Sequence, residues 1–160
     1  QSLAAALLRS SANIDVTTVP YKGSPAVINA LRANDLHVAV EFIGPVYGQI
    51  KQNALRPLAI MSARRYPGLP NVPTGAESGL PTFQATSWNA VSVRAKTPQP
   101  IIERLAKEVQ AAAAAPDVKQ KLAELGAEAK ANTPEEMRQL MSSEITKWKA
   151  VIQQAKIPLQ

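Results

Sequence analysis

Apolar and polar positions along this chain switch between two periods. Leu3, Ala6, Leu7 and Ser10 recur at helical spacing, which predicts a helix over Ser2–Ser10. Val16–Val19 is a short β-branched run ending at Pro20, the pattern of a strand. Ser24-Pro25 then supplies a hydroxyl suited to an N-cap and a proline suited to the first helical position, so a helix should run to about Ala33. Asn34-Asp35 turns the chain. Leu36–Phe42 is nearly all apolar, broken by His37 and Glu41, and reads as a strand buried on both faces of a parallel sheet. Gly44-Pro45 opens a short helix to about Gln52, and Leu58–Met61 is a further buried strand. Residues 64–86 are dense in proline and glycine yet punctuated by apolar residues. They read as a long surface loop, with one helical turn at Pro73–Glu77. Trp88–Arg94 alternates in the manner of a strand.

From residue 98 the helical period takes over. Pro100–Ala115 carries Ile101, Leu105, Val109 and Ala112 on one stripe. Pro116-Asp117 stops that helix and starts another, through Val118, Leu122 and Leu125 to a Gly126 cap. Ala127–Ala131 reads as a short edge strand. Thr133-Pro134-Glu135-Glu136 is a capping box with proline at N1, and Met137, Leu140, Met141, Ile145, Trp148 and Ile152 line one face to about Ala155. Alternating helices and buried strands predict an α/β fold with parallel-rich sheets. The break at 64–86 and the helical tail predict two lobes, with the strand holding Trp88 as the crossover. In such folds ligands sit at the carboxyl ends of strands, where helix N-termini point free N–H groups.

The length, 160 residues, is about one domain's worth, enough to bury roughly two-thirds of the unfolded surface. The chain has no cysteine, which excludes disulfides, thiolate zinc sites, iron–sulfur clusters and a cysteine nucleophile. His37 is the one histidine, so a multi-histidine metal site is excluded too. No apolar run approaches the ~18 residues of a membrane span. The start, Gln-Ser-Leu-Ala-Ala-Ala-Leu-Leu-Arg, has no basic flank before its apolar stretch and is not an intact signal peptide; processing or truncation upstream is the expectation. The net charge of +6 is uneven: residues 1–100 hold nine basic and four acidic side chains, residues 101–160 nine and eight. A basic first portion suits an anionic partner. Nucleic acid is one candidate, but the basic residues are scattered and aromatics are only 4%, too few for a base-stacking surface, so small anions are favoured and no nucleic-acid partner is expected.

No nucleotide-binding glycine loop, no G-x-S-x-G elbow and no cofactor motif occurs. His37 reads as a structural histidine. With Glu41, four residues on, it lies about 13 Å along one strand at 3.3 Å per residue, too far for a direct dyad. Glu77 and Glu41 are a conceivable carboxylate pair, but nothing in the sequence joins them. Glu135-Glu136 sits in a first helical turn, where acid complements the helix dipole. The informative segment is Val19-Pro20-Tyr21-Lys22-Gly23-Ser24-Pro25-Ala26: a strand end, a glycine turn, then a helix start. Its Ser24 hydroxyl and the N–H groups of Ala26 and Val27 suit a carboxylate, though simple capping explains them as well. Glu41, near the end of the next strand, must find donors, either in a ligand or in a neighbouring loop.

Pro20-Tyr21-Lys22-Gly23 resembles the Pro-Tyr-Lys-Gly signature of the Bug-type extracytoplasmic solute receptors, the substrate-binding proteins of tripartite tricarboxylate transporters. Ile50–Ala59 is similar to a second element of that family, and Leu69–Thr74 with Ala76–Gly79 to its proline-rich loop. Trp88, Pro98, Thr133–Glu135 and Trp148 fall where the family keeps equivalents. Asn34 and Asn53 stand at usual glycines and Gly75 at a usual aliphatic. His37 and Glu41 replace common aspartates, the second keeping a carboxylate but lengthening it. The resemblance implies a type II periplasmic-binding-protein-like architecture of roughly twice this length, whose amino-terminal half is missing here. Residues 1–86 would be part of ligand-binding lobe two and 87–160 the carboxy-terminal part of lobe one. It implies a periplasmic receptor, not an enzyme, with no metal and no cofactor, passing a small carboxylate to the membrane components of a transporter. Tyr21 would pack on the ligand's carbon frame, Gly23, Ser24, Ala26 and Val27 would hold a carboxylate, and Glu41 a polar tail. The alternative is the effector-sensing domain of a transcription regulator of similar two-lobed fold. Unpaired strand edges predict that the chain is not self-sufficient, and a homo-oligomer is one way to cover them.

Overall fold

Helix signals in the sequence translate into six helices in the computed structural model, which describes residues 1–155. They are α1 Ser2–Ala12, α2 Ser24–Arg32, α3 Ile43–Lys51, α4 Gln99–Ala114, α5 Pro116–Glu124 and α6 Pro134–Gln154. Three of their stops, those of α2, α3 and α5, share one device. Asn34 (φ 63°) and Asn53 (φ 58°) follow α2 and α3 in the left-handed region, as Gly126 (φ 75°) follows α5. In each case the two residues beyond the cap turn back on the last carbonyls. After α3, the Asn53 N–H donates to the Ile50 carbonyl at 3.0 Å and the Ala54 N–H to the Gln49 carbonyl at 2.9 Å. Asparagine tolerates this conformation because its short polar side chain bonds locally, which is why it can stand where the resemblance led us to expect glycine. At the head of α6 the capping box forms: the Thr133 N–H donates to Glu136 at 2.7 Å and the Glu136 N–H to the Thr133 hydroxyl at 3.1 Å. These bonds, the Thr133 N–H first, hold the Glu136 carboxyl below its ordinary value.

The strands are where expectation and structure part. Val16–Val19, Leu36–Phe42, Leu58–Met61, Trp88–Arg94 and Ala127–Ala131 form no ladder, and among the described residues the sheet component of the expected α/β fold reduces to one isolated parallel bridge, Ile60↔Thr74. A strand is a relation between two segments held ~4.8 Å apart, and alternation in sequence supplies only one of the two. Several of their apolar side chains are therefore left exposed, namely Val16, Val19, Val38, Phe42, Leu58, Val91 and Val93, while others such as Leu36, Val40 and Ile60 are half-buried.

The chain divides into two compact units, Gln1–Ser87 with the chain from Trp148 onward, and Trp88–Lys147. Among the described residues the first holds every buried apolar side chain: Ala30 of α2, Val46 of α3, Val72 and Phe83 of the loop region, and Val151 of α6. α2 and α3 pack together there. In the second unit α4 and α5 pack together, with Val118 and Leu122 of α5 half-buried. The stripe Ile101, Leu105, Val109 of α4, expected to face a core, is exposed, because the residues α4 turns inward are Ile102, Ala106 and Gln110. On α6 the half-buried line runs Met137, Leu140, Glu144, Lys147, whereas Met141 and Ile145 are exposed.

Candidate functional site

Two polar constellations lie in the first unit. One surrounds the start of α2. Gly23 occupies φ 83°, ψ 160°, a region open in practice to glycine alone, and it, not Ser24, is the N-cap. Ser24 is thus the first helical residue and Pro25 the second. The reason lies in the side chain: with Gly23 making the turn, the Ser24 hydroxyl is released from capping and donates to Glu41 Oε2 at 2.9 Å. Gln1 Nε2 donates to the same oxygen at 3.1 Å. The carboxylate left without partners by the sequence has therefore found two, one of them 40 residues away, and only a folded chain could have named Gln1.

Of the other expected ligand residues, Ala26 and Val27 are half-buried in the first turn of α2 and Gly23 and Tyr21 are exposed. The Val27 N–H closes on the Gly23 carbonyl at 3.5 Å, the long first bond of the helix, so it is engaged within the turn. His37 is exposed, and Glu41 is bonded to Ser24 and Gln1, so the two do not act as a pair. A serine hydroxyl has one proton. Here it goes to Glu41, so Ser24 can meet a further group only as an acceptor.

The second constellation is the clasp of the 62–80 loop. Thr74 and Glu77 form a capping box of their own: the Thr74 N–H donates to Glu77 at 2.8 Å and the Glu77 N–H to the Thr74 hydroxyl at 3.2 Å. The motif Thr-x-x-Glu is visible in the sequence and lies within the segment Pro73–Glu77 where one helical turn is expected. Arg65 Nε reaches Glu77 at 2.9 Å and its NH1 donates to the Pro70 carbonyl at 3.0 Å. The Arg65 guanidinium, then the Thr74 N–H, pull the Glu77 carboxyl down to about 2. Thr74 is buried, and its neighbours pair with Ile60: the Ile60 N–H donates to Pro73 at 2.8 Å and the Gly75 N–H to Ile60 at 3.0 Å. Glu77 and Glu41 are thus each held by separate partners.

In the second unit a cleft of about 300 Å³ opens between α4, from Gln99 to Gln110, and the first turn of α6, its charged lining being Glu103, Lys107, Glu135 and Arg138. Within it Arg138 pairs with Glu135, and the Gln99 amide donates to Glu103 at 3.0 Å. Among the described residues no cluster of three or more histidine, aspartate or glutamate side chains could hold a metal, and no helix is long and apolar enough to cross a membrane.

Compared with known proteins, residues 1–157 match the model of the tripartite tricarboxylate transporter family receptor. A Pseudomonas protein from the tcbD-tcbE intergenic region is 36% identical over 151 residues, covering 94% of this chain and 45% of its own. BugT of Bordetella pertussis is 35% identical over 92% of this chain and 44% of its own. A Pseudomonas knackmussii protein from the clcB-clcD intergenic region is 33% identical and is covered over 89% of its length. The chain thus spans about half the length of the first two. Among solved structures, an R. palustris protein with adipate superposes at a TM-score of 0.83, 30% identical, over 97% of this chain and 52% of that one. BugD, a periplasmic binding protein, gives 0.79 at 27% identity over 99% and 54%. MatC of Rhodopseudomonas palustris with bound malate gives 0.75 at 29% over 94% and 52%.

Proposed function

Because the chain belongs to the tripartite tricarboxylate transporter receptor family, we propose that it acts as a periplasmic solute receptor that captures a small carboxylate for the membrane components of such a transporter. The observation that carries this reading is the family match over residues 1–157. Two of the solved neighbours, one with adipate and one with bound malate, support small carboxylates as the chemical class. We assign residues 1–86 to part of ligand-binding lobe two and 87–160 to the carboxy-terminal part of lobe one, as the resemblance implies, with the end of α6 from Trp148 returning to the first unit.

The site we assign is the start of α2. A ligand carboxylate would meet the N-terminal turn at Ala26, where the helix dipole favours negative charge. Gly23 gives that turn its shape and Tyr21 offers an exposed ring to the carbon frame. Ser24 holds Glu41 in place, and Glu41 accepts a hydroxyl or a bridging water from the far end of the ligand. Two acidic groups repel. The site therefore suits an acid with a hydroxyl at that end better than one with a bare second carboxylate.

Thermal melting of the full chain with malate, adipate and glucose tests this. Any ligand that prefers the native state stabilises it, by about 2.7 kcal/mol at a hundredfold excess over Kd, and so raises Tm. Malate and adipate should raise it and glucose should not. Glu41→Gln and Ser24→Ala should each weaken malate about tenfold, the loss of one hydrogen bond to a charged group, and leave adipate less affected. Equal shifts with glucose, or variants that bind malate as before, would move the function or the site elsewhere.

A further inference from the structure

Gln1 stands at the N-cap of α1, yet its side chain does not cap that helix. Its backbone carbonyl takes the Ala5 N–H at 2.9 Å and so begins the helical ladder. The side-chain amide turns instead to Glu41 and donates to Oε2 at 3.1 Å, beside the Ser24 hydroxyl at 2.9 Å. An ionised carboxylate only accepts, so the amide must present its nitrogen there and not its oxygen. Asparagine, serine or aspartate would start a helix better than glutamine does. The longer arm of glutamine is what brings an amide within reach of a carboxylate 40 residues away.

The two bonds act jointly. Each carboxylate oxygen offers two lone pairs, and on Oε2 both are taken. A donor from a ligand is left with Oε1. The two bonds come from the starts of two different helices, α1 and α2, and together they restrain the turning of the carboxyl group about its last bond. A ligand donor meets a group already oriented, so less freedom is lost when the new bond forms. A bare ligand carboxylate has no donor to offer and gains nothing from this.

We propose that Gln1 is a specificity-determining positioning residue of the carboxylate site. It acts through Glu41 and favours acids with a hydroxyl at the Glu41 end over acids that end there in a bare carboxylate. The inference rests on the start of α2 being the ligand site and adds to that site a residue from another helix.

Titration calorimetry of the full chain with malate and with adipate tests it. Gln1→Asn gives α1 a better cap and withdraws the amide by one methylene, so a role in helix starting and a role toward Glu41 predict opposite results. It should keep or raise the stability of the chain, weaken malate about three- to tenfold and leave adipate within about twofold. Gln1→Met, of similar length and with no donor, should weaken malate to the same degree. With Glu41→Leu already in place, neither change should alter the ratio of the two affinities further, because a positioning residue acts only through the group it positions. In the ligand-free chain the NMR signal of the Gln1 side-chain amide should move on Glu41→Leu and stay in place on Glu124→Gln.

Unchanged malate affinity in both Gln1 variants, or malate and adipate weakened alike, would overturn the role of Gln1 and leave the carboxylate reading standing. The same loss of selectivity in the Glu41→Leu background, or an amide signal that ignores Glu41→Leu, would overturn it as well. If the unaltered chain binds neither acid while the amide signal follows Glu41, the carboxylate reading itself has failed, and the selectivity assigned to Gln1 falls with it.

Discussion

Glu77 is the most strongly perturbed side chain, and its perturbation has a direction that can be tested. Its carboxyl is held at about 2 in the folded chain by Arg65 and by the Thr74 N–H, against an ordinary value of 4.5. A group whose folded pKa is depressed contributes stability above its unfolded pKa and loses it as pH falls through the folded one. The clasp should therefore hold unchanged above about pH 5 and loosen between there and pH 2. Carboxyl NMR of Glu77 should show the low midpoint, and Arg65→Gln should move that midpoint up toward the ordinary value. A midpoint near 4.5 in the unaltered chain would mean that the clasp is not formed in solution. Gly23 gives a second residue-scale expectation. A Cβ there would meet only Pro25 Cδ, at 3.7 Å, an ordinary contact, so the penalty of Gly23→Ala comes from the backbone and not from a clash. Holding alanine at φ 83° and ψ 160° should cost on the order of 1–3 kcal/mol, measurable by denaturant titration. A neutral variant would show that α2 can begin without that turn.

At the scale of elements, what the sequence made legible were the features written locally. The capping box Thr133-x-x-Glu136, the proline starts of α5 and α6 and the Gly126 stop depend on residues within one or two turns of each other, and all of them form. The asparagine stops are of the same kind. Asn53→Gly should leave α3 as stable or slightly more so. Asn53→Val should cost about 1–2 kcal/mol, since a β-branched residue is driven out of the left-handed region, and urea midpoints of the two variants would rank them. Equal midpoints would mean that the stop of α3 is set elsewhere. The strands were not legible to the same depth. The alternation of Trp88–Arg94 states which side chains share a face, but it cannot supply the neighbour whose carbonyls the backbone needs. The α4 stripe misled for the same reason: Ile101, Leu105 and Val109 mark an apolar face, and a face alone does not say which element lies against it.

For the molecule as a whole, the candidate site was half readable. Tyr21, Gly23, Ser24, Ala26 and Val27 are consecutive or nearly so, and the turn joining them announces itself through glycine and proline. Glu41 stood out as a carboxylate in an apolar run in need of donors, and Ser24 is the donor it has. Gln1 could not have been chosen, because no local rule connects the first residue to the forty-first. The exchange of Ser24's role, from cap to partner of Glu41, was also beyond sequence: Ser24 and Gly23 are both good caps, and only the φ of Gly23 decides between them.

Thr74 sits at a junction whose consequence is kinetic. It lies opposite Ile60 in the one bridge, it caps the turn that Glu77 closes, and Glu77 in turn is gripped by Arg65, 12 residues earlier in the chain. Contacts this close in sequence are made after short loop closures, on the order of 10–100 ns for ten residues, long before distant segments meet. Low contact order favours speed. The stretch from Ile60 to Leu80 should thus be among the first parts of the chain to find its shape, a small early nucleus around which α2 and α3 are later gathered.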